Sequence, residues 1–166
     1  MPILDEHSLD FVSHSPDQTR RLGVRLGELL KPGDLVLLAG DLGAGKTTFA
    51  QGIARGWGSL DPVTSPTFVL VNEYRRADEA HLYHLDAFRL DKPAEAVALG
   101  LTEILEEGGP LLVEWPERVQ PVLPENGLWV RLRWVDDSRR ALQLDARGSR
   151  SEALLRQFRK AAFGGS

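Results

Sequence analysis

Cysteine is absent from the 166-residue sequence, and no uninterrupted apolar run reaches the 18 residues that a membrane-spanning helix needs. The missing cysteine excludes disulfides, thiolate chemistry and cysteine-ligated zinc, and it fits a reducing cytosol. The first eleven residues, MPILDEHSLDF, have neither a basic segment nor a long apolar run, so they are unlike a signal peptide. We therefore expect a cytoplasmic protein without a membrane partner.

Positive charge is scarce over most of the chain. Residues 1–128 carry 11 Lys and Arg against 20 Asp and Glu, whereas residues 129–166 carry 9 against 4. An acidic body of this kind does not bind nucleic acid unaided. The basic C-terminal region either contacts RNA or an acidic partner or is a solvated hairpin and helix, and the composition leaves both interpretations open.

Apolar periodicity predicts an α/β fold in a single domain over residues 1–166. Near-continuous apolar runs such as LVLLAG (35–40) and PLLVEW (110–115) are typical of strands buried on both faces. Other segments alternate like strands or repeat at helical spacing. The further predicted strands are 68–74, 81–87, 128–135 and 140–146, and helices are predicted after Ser15, after the loop at 40–45, over 93–107 and over 151–163.

Local signals set the helix bounds. Ser15 and Gln18, with Pro16 between them, form a capping box that begins the first helix. Gly56 and Gly58 are expected to end the second helix, and Gly100 weakens the helix over 93–107.

The stretch GDLGAGKTT (40–48) matches the phosphate-binding pattern G-x-x-x-x-G-K-[ST]. Its glycines let backbone N–H groups approach phosphate oxygens at the start of a helix. Lys46 offers a positive charge to the β- and γ-phosphates, and Thr47 offers a hydroxyl to Mg²⁺. We therefore predict a P-loop NTPase-like three-layer sandwich. Its mostly parallel central sheet is extended by an antiparallel C-terminal hairpin, and its ligand is a nucleotide phosphate with Mg²⁺.

Two acidic residues are candidates for organising Mg²⁺ and the attacking water. Asp86 ends HLYHLD and Glu114 ends PLLVE, and ligands of α/β sheets bind at the carboxyl ends of strands. Glu114 follows the better apolar run. Either carboxylate is alternatively an ordinary strand-end acid or a helix cap.

Hydroxyl and aromatic side chains flank these positions. Thr64, Ser65 and Thr67 lie on a proline-containing loop where a segment sensing the γ-phosphate is expected, although a simple turn explains the spacing equally well. Trp115 is either a core residue or part of the site. His81 and His84 are three residues apart on one strand, so they face opposite sides and do not bind one metal together.

Missing motifs narrow the class of nucleotide-binding protein. The sequence lacks an N-K-x-D segment for guanine, an L-S-G-G-Q-like signature of transporter ATPases, and the long arginine-rich lid of small-molecule kinases. An ATPase is the favoured interpretation. A small-molecule kinase and a nucleotide-gated binding module that needs no turnover stay open as alternatives.

Four stretches, in this order and at these gaps, resemble one bacterial family. They are GDLGAGKTTFAQGIARGWG, SPTFVLVNEY, LYHLDAFRL and LLVEWPE. Together they look like the tRNA threonylcarbamoyladenosine biosynthesis ATPases, the TsaE family, also known as YjeE. The resemblance covers residues 15–125, whereas the last 40 residues match little.

The resemblance implies a compact P-loop α/β protein that binds ATP or ADP with Mg²⁺ and hydrolyses ATP weakly alone. It also implies a partner, the TsaB–TsaD pair, which attaches the threonylcarbamoyl group to adenosine 37 of tRNAs that read codons beginning with A. The ATPase does not perform that transfer and meets tRNA only through the complex. Its nucleotide cycle is expected to reset or regulate the pair.

By resemblance, catalytic roles fall on Lys46, Asp86, Glu114 and Trp115. Lys46 would contact the phosphates, and Asp86 matches an acidic position important for activity. Thr47 and Glu114 match the Mg²⁺-linked residues, and Trp115 matches an aromatic required beside the acid.

The remaining matches concern nucleotide contacts and the switch segment. Ser65 and Thr67 match a switch-like S-P-T loop, and Thr19 matches a threonine close to the nucleotide. Phe88 stands where a tyrosine is common, so a hydrogen bond from that ring is lost. The predicted nucleotide-contacting residues are Thr19, Asp41, Leu42, Gly43, Ala44, Gly45, Lys46, Thr47 and Thr48.

Overall fold

The computed structural model describes residues 6–41, 43–63 and 71–164. The strands in these ranges are β1 (Ser8–Ser13), β2 (Leu35–Ala39), β3 (Val71–Arg75), β4 (His81–Asp86), β5 (Leu111–Glu114), β6 (Gly127–Trp134) and β7 (Arg140–Arg147). The helices are α1 (Pro16–Gly27), α2 (Lys46–Trp57), α3 (Pro93–Ala98), α4 (Leu101–Glu107) and α5 (Ser149–Phe163), with short 3₁₀ turns at Pro116–Arg118 and Gln120–Val122.

The strands form one mixed sheet in the order β1-β7-β6-β2-β5-β4-β3. Neighbours among β6, β2, β5 and β4 are parallel, whereas β7 and β1 continue the sheet antiparallel beside β6, and β3 pairs antiparallel with β4. The predicted α/β class, parallel centre and C-terminal hairpin are confirmed. Antiparallel pairing extends further than expected because β1, which the sequence patterns did not predict, adds an edge strand. Its segment SLDFVS has only three apolar residues and a weak alternation.

Helices cover both faces of the parallel centre. All five residues of β2 are buried; Val36 and Leu38 pack with α1, α2 and α5, and Leu35 and Leu37 pack with α3 and α4. This two-sided burial explains the continuous apolar run in β2 and confirms the three-layer arrangement there. On β6 and β7 the second face is covered at Trp129 and open beyond it, where Arg131, Arg133 and Gln143 are exposed.

Glycines bring α1 and α2 into backbone contact. A Cβ at Gly23 would lie 2.5 Å from the Phe49 carbonyl oxygen, and one at Gly56 would lie 2.0 Å from the Val24 carbonyl oxygen. Gly56 is the last residue but one of α2, so the helix ends where Gly56 and Gly58 predicted, and Gly56 also permits this close approach to α1. Gly58 ends α2 as its C-cap, with a φ of 104°, as expected.

The other helix bounds follow local chemistry. Ser15 Oγ accepts a hydrogen bond from Gln18 N at 3.0 Å, and Gln18 Oε1 accepts one from His14 N at 2.6 Å, so the predicted cap of α1 is confirmed. The helix expected over 93–107 is divided into α3 and α4. Gly100, with a φ of 100°, stands between them as the N-cap of α4, and it breaks the helical path instead of only weakening it.

Candidate nucleotide-binding and catalytic site

The loop at 40–45 joins the end of β2 to the start of α2, which is the strand–loop–helix context that the phosphate motif requires. Gly40 has a φ of 145°, and a Cβ there would lie 2.3 Å from the Leu132 carbonyl oxygen. Only glycine permits this approach of β6 to the loop. Leu42, one of the predicted contacts, lies outside the described residues.

The first turn of α2 carries backbone N–H groups that no side chain caps. Its N-cap is Gly45, with a φ of 100°, and no acidic residue occurs in the first turn. The aligned peptide dipoles of this 12-residue helix place partial positive charge at the same end. The start of α2 is therefore chemically suited to an anion such as phosphate.

Lys46 is the first residue of α2 and is only 5% exposed. Its ammonium donates a hydrogen bond to the Gly40 carbonyl and lies 3.7 Å from the centroid of the Trp115 ring. Burial lowers the pKa of Lys46, because the charged form loses hydration. Nearby carboxylates oppose this shift, in decreasing order Glu114, Glu117, Asp86 and Asp41.

The two candidate acids lie side by side. Asp86 ends β4 and Glu114 ends β5, and these residues are direct partners in the parallel ladder, so both side chains point to the α1–α2 face. Burial raises the pKa of Asp86, and the charge of Glu114 adds to that shift. The Phe88 N–H, which donates to Asp86 Oδ1 at 3.0 Å, acts in the opposite direction. The sequence did not distinguish between the two acids, and in the structure both carboxylates lie close enough to Lys46 to affect its pKa.

Glu114 is buried and has a histidine partner. His84 Nε2 lies 2.7 Å from Glu114 Oε2, and His84 Nδ1 lies 2.9 Å from the Tyr74 hydroxyl. His81, on the opposite face of β4, is exposed and pairs with Glu73. The two histidines therefore face opposite sides of the sheet, as their spacing predicted.

Trp115 belongs to the core and to the site at once. It packs against the α3–α4 side of the core, and its ring also lies under the Lys46 ammonium and 5.0 Å from the Phe88 ring. Arg118 lies 5.9 Å from the Trp115 ring and 5.6 Å from that of Phe88. Trp115 has a φ of 57°, a conformation that costs a bulky residue about 1–3 kcal/mol. The strained backbone turns the indole toward the lysine directly after Glu114.

The predicted threonines occupy two neighbouring helix starts. Thr47 and Thr48 lie in the first turn of α2 and are half-buried. Thr19 is buried in the first turn of α1, where its hydroxyl lies 2.6 Å from Ser13 Oγ and donates to the Ser15 carbonyl at 3.2 Å. Contact of these residues with a nucleotide stays a prediction. Thr64, Ser65 and Thr67, the predicted switch segment, lie outside the described residues.

Sequence reasoning missed Arg140 as a neighbour of the phosphate loop. Its Nε donates to the Gly43 carbonyl at 3.2 Å, and its Cγ would lie 3.6 Å from a Cβ at Gly45. No motif marks this arginine, since it follows the turn of the C-terminal hairpin. Only the pairing of β6 with β2 brings the hairpin end to the loop, so this contact follows from the fold.

Binding of Mg²⁺ by Thr47 and Glu114 stays a prediction, and both side chains offer the oxygen ligands that this ion prefers. Within the described ranges, no group of three or more His, Asp or Glu side chains is placed to bind a metal ion. Mg²⁺ in phosphate-transfer sites typically uses one or two protein ligands, with water and phosphate oxygens completing the shell. Thr47 and Glu114 match that sparse requirement.

Comparison with known proteins agrees with the predicted family. The model of the TsaE family, described as threonylcarbamoyl adenosine biosynthesis protein TsaE, matches residues 13–142. The chain belongs to the TsaE family. The matched range includes the loop at 40–45, Asp86, Glu114 and Arg140, so it spans the site described above.

Individual relatives support the family assignment. The chain is 37% identical over 144 residues to the tRNA threonylcarbamoyladenosine biosynthesis protein TsaE of Bacillus subtilis, covering 87% of this chain and 89% of that protein. It is 43% identical over 133 residues to the TsaE of a Nostoc species, covering 77% and 80% of the two chains. The crystal structure of YdiB from Bacillus subtilis superposes with a TM-score of 0.76 at 33% identity, covering 92% of this chain and 95% of that one.

No helix within the described residues of this TsaE-family protein is long and apolar enough to cross a bilayer.

Proposed function

We propose that this protein is a Mg²⁺-dependent ATPase that acts in the formation of N6-threonylcarbamoyladenosine at position 37 of tRNA. Its proposed partner is the TsaB–TsaD complex, which performs the transfer and which the nucleotide cycle resets or regulates. Membership of the TsaE family supports the pathway, because the relatives are named for threonylcarbamoyladenosine biosynthesis.

The observation that carries the ATPase proposal is the convergence at Lys46. A buried ammonium at the uncapped start of α2 faces two adjacent carboxylates, Asp86 and Glu114, from parallel strands. The ammonium and backbone N–H groups suit the negative charge that develops on a transferring phosphoryl group. The carboxylates suit the positioning of Mg²⁺ and the attacking water.

Each residue then has a separate role in the proposed reaction. Bound Mg²⁺ would neutralise phosphate charge, with Thr47 and Glu114 as its protein ligands. Lys46 binds the β- and γ-phosphate oxygens, and Trp115 keeps water from one side of the ammonium. Asp86, beside Glu114, orients the hydrolytic water. The partner would contact the surface around Trp115, since a change at the γ-phosphate reaches the protein exterior there.

Lys46→Ala tests the proposal in a reconstituted reaction with the TsaB–TsaD complex and tRNA. We expect ATP hydrolysis to fall at least about 10²-fold, because a transition-state charge partner is lost, and support of tRNA modification to disappear. Lys160→Ala, an exposed lysine of α5, is the matched control and should behave as wild type. Retention of both activities by Lys46→Ala would contradict the proposal.

Glu114→Gln distinguishes turnover from nucleotide binding alone. We expect this variant to bind ATP, to hydrolyse it slowly, and to fail after the first modification cycle. If it sustained many cycles without hydrolysis, the protein would be a nucleotide-gated binding module and the ATPase proposal would be wrong.

A further inference from the structure

A chain of three buried polar side chains leads into the site from the strand at the edge of the sheet. Tyr74 of β3, His84 of β4 and Glu114 of β5 are 3%, 1% and 4% exposed. The Tyr74 hydroxyl lies 2.9 Å from His84 Nδ1, and His84 Nε2 lies 2.7 Å from Glu114 Oε2. All three project from the sheet face that carries α2, where Lys46 lies.

We assign the direction of these hydrogen bonds from the donor and acceptor chemistry of the end groups. An ionised carboxylate only accepts hydrogen bonds, so His84 donates through Nε2–H to Glu114. In a neutral imidazole, Nδ1 is then the acceptor, and the Tyr74 hydroxyl donates to it. Burial raises the pKa of Tyr74 to about 12, which keeps the phenol protonated and able to donate. The chain therefore runs from Tyr74 through His84 to one oxygen of Glu114.

This arrangement does more than satisfy buried polar groups. An apolar side chain at position 84 would leave the buried Glu114 carboxylate without this donor. The chain instead engages Glu114 Oε2 and fixes the carboxylate rotamer, which leaves Oε1 as the oxygen for a metal ion or water. Outer-shell partners of ligating carboxylates typically affect metal affinity or activity by about 10–100-fold.

We propose that His84, supported by Tyr74, is a positioning residue that fixes the carboxylate of Glu114 for catalysis. The inference rests on the ATPase function proposed above and extends it to Tyr74 and His84, whose hydrogen bonds lead to Glu114. His84 acts through Glu114, so its loss should lower the rate of the chemical step and leave nucleotide binding in place.

Steady-state ATP hydrolysis by His84→Leu, His84→Gln and Tyr74→Phe tests the proposal. We expect kcat to fall about 10–100-fold in His84→Leu, with KM for ATP and calorimetric ATP affinity within about threefold of wild type. His84→Gln should regain most of the rate because its amide can donate to Glu114. Tyr74→Phe, which removes one hydroxyl, should show a smaller loss. His81→Leu, at an exposed residue on the other face of the same strand, is the matched control and should behave as wild type.

A double-mutant cycle tests whether His84 acts through Glu114. We expect the double variant His84→Leu/Glu114→Gln to be no slower than Glu114→Gln alone, because the group that His84 orients is already lost. Multiplied losses would overturn the inference. So would an unchanged kcat in His84→Leu and Tyr74→Phe accompanied only by a lower melting temperature.

A spectroscopic measurement on the unaltered protein does not depend on activity. Nitrogen-15 NMR of the His84 ring should show a proton on Nε2, protected from exchange by burial. An Nδ1–H tautomer without a proton on Nε2 would overturn the inference. If Lys46→Ala hydrolyses ATP as wild type does, the proposed function fails; if Lys46→Ala is inactive and the His84 variants are not impaired, only the present inference fails.

Discussion

The parallel centre of the sheet and its antiparallel C-terminal hairpin use polar residues in opposite ways. In the centre, β4 and β5 bury His84 and Glu114 and bring Asp86 to the same edge. In the hairpin, Arg131, Arg133 and Gln143 alternate with buried leucines and point to water. Parallel strands end together, so their terminal side chains converge on one site. Antiparallel strands with one open face disperse theirs along the surface.

Two arginines add polar contacts to the apolar packing of α5 and the pairing of β6 that already join this region to the parallel centre. Arg150 of α5 binds Asp34, just before β2, with Nε–Oδ1 and Nη2–Oδ2 distances of 2.8 Å each. Arg140 of β7 binds the Gly43 carbonyl. The first contact lies at the amino end of β2, far from the phosphate loop, and the second lies on the loop itself. We therefore expect the first to support stability and the second to support nucleotide binding.

Arg150→Met should have the larger effect. Asp34 is buried, and this substitution removes the arginine that binds both of its carboxylate oxygens. Among the described residues, only the Lys31 N–H would then donate a hydrogen bond to that carboxylate. Breaking one side of a buried ion pair typically costs about 3–5 kcal/mol, and we expect about 2–3 kcal/mol here because the Arg150 side chain is about one-third exposed. Thermal and denaturant unfolding would measure the loss.

Two comparisons sharpen this prediction. Arg156→Met alters an exposed position of the same helix and should change the melting temperature little. Adding Asp34→Asn to Arg150→Met should recover part of the stability, since the unpaired charge is removed. A loss in Arg150→Met no greater than that in Arg156→Met would mean that the hairpin layer and the parallel centre are not coupled through this pair.

Arg140→Ala should have a smaller effect, confined to nucleotide binding. Removing one hydrogen bond to the loop backbone changes free energy by about 0.5–1.5 kcal/mol, so we expect ATP–Mg²⁺ affinity to fall by about 2–12-fold in calorimetry. Arg133→Ala, on the open face of the same hairpin, is the control and should leave affinity unchanged. Equal losses in both variants would show that the hairpin acts through overall charge and not through its contact with Gly43.

The sequence predicts the parallel centre much better than its surroundings. Strand–loop–helix order, the caps at Ser15 and Gly58, and the positions of Asp86 and Glu114 at strand ends all depend on local spacing, which a sequence displays directly. The approach of Arg140 to Gly43 depends on β6 pairing with β2, and the close approach of Gly56 to Val24 depends on helix packing. Such long-range contacts leave no local pattern, so sequence spacing did not reveal them.

The buried histidine illustrates the same limit within one strand. Alternation along β4 correctly placed His81 and His84 on opposite faces, because side-chain direction is a local property of a strand. The partners of His84 could not be predicted, since Tyr74 and Glu114 come from two other strands and meet it only through the sheet order β5-β4-β3.

Asp86→Asn gives the smaller of the two expected changes in stability and tests whether the ionised Asp86 carboxylate destabilises the fold. Burial raises the pKa of Asp86 above its ordinary value of 3.8, and the charge of Glu114 adds to that rise. The Phe88 N–H and Lys46 lower the pKa. A carboxyl whose pKa is higher in the folded state destabilises the fold when it is ionised. The cost is absent below pH 3.8, grows as the pH rises through the folded-state pKa, and is complete above it.

The amide of Asp86→Asn keeps the acceptor for the Phe88 N–H but removes the charge. We therefore expect the variant to hydrolyse ATP more slowly and yet to unfold at a higher temperature at pH 7, by up to about 1 kcal/mol of unfolding free energy. The gain should shrink as the pH falls toward 3.8, and Asp91→Asn, an exposed control close by in the chain, should show no comparable gain. A gain that grows on acidification would mean that attraction to Lys46 outweighs burial. Asp86 and Glu114 would then lie together at the ends of two parallel strands without a loss of stability. In that respect the parallel centre would not differ from the solvated hairpin.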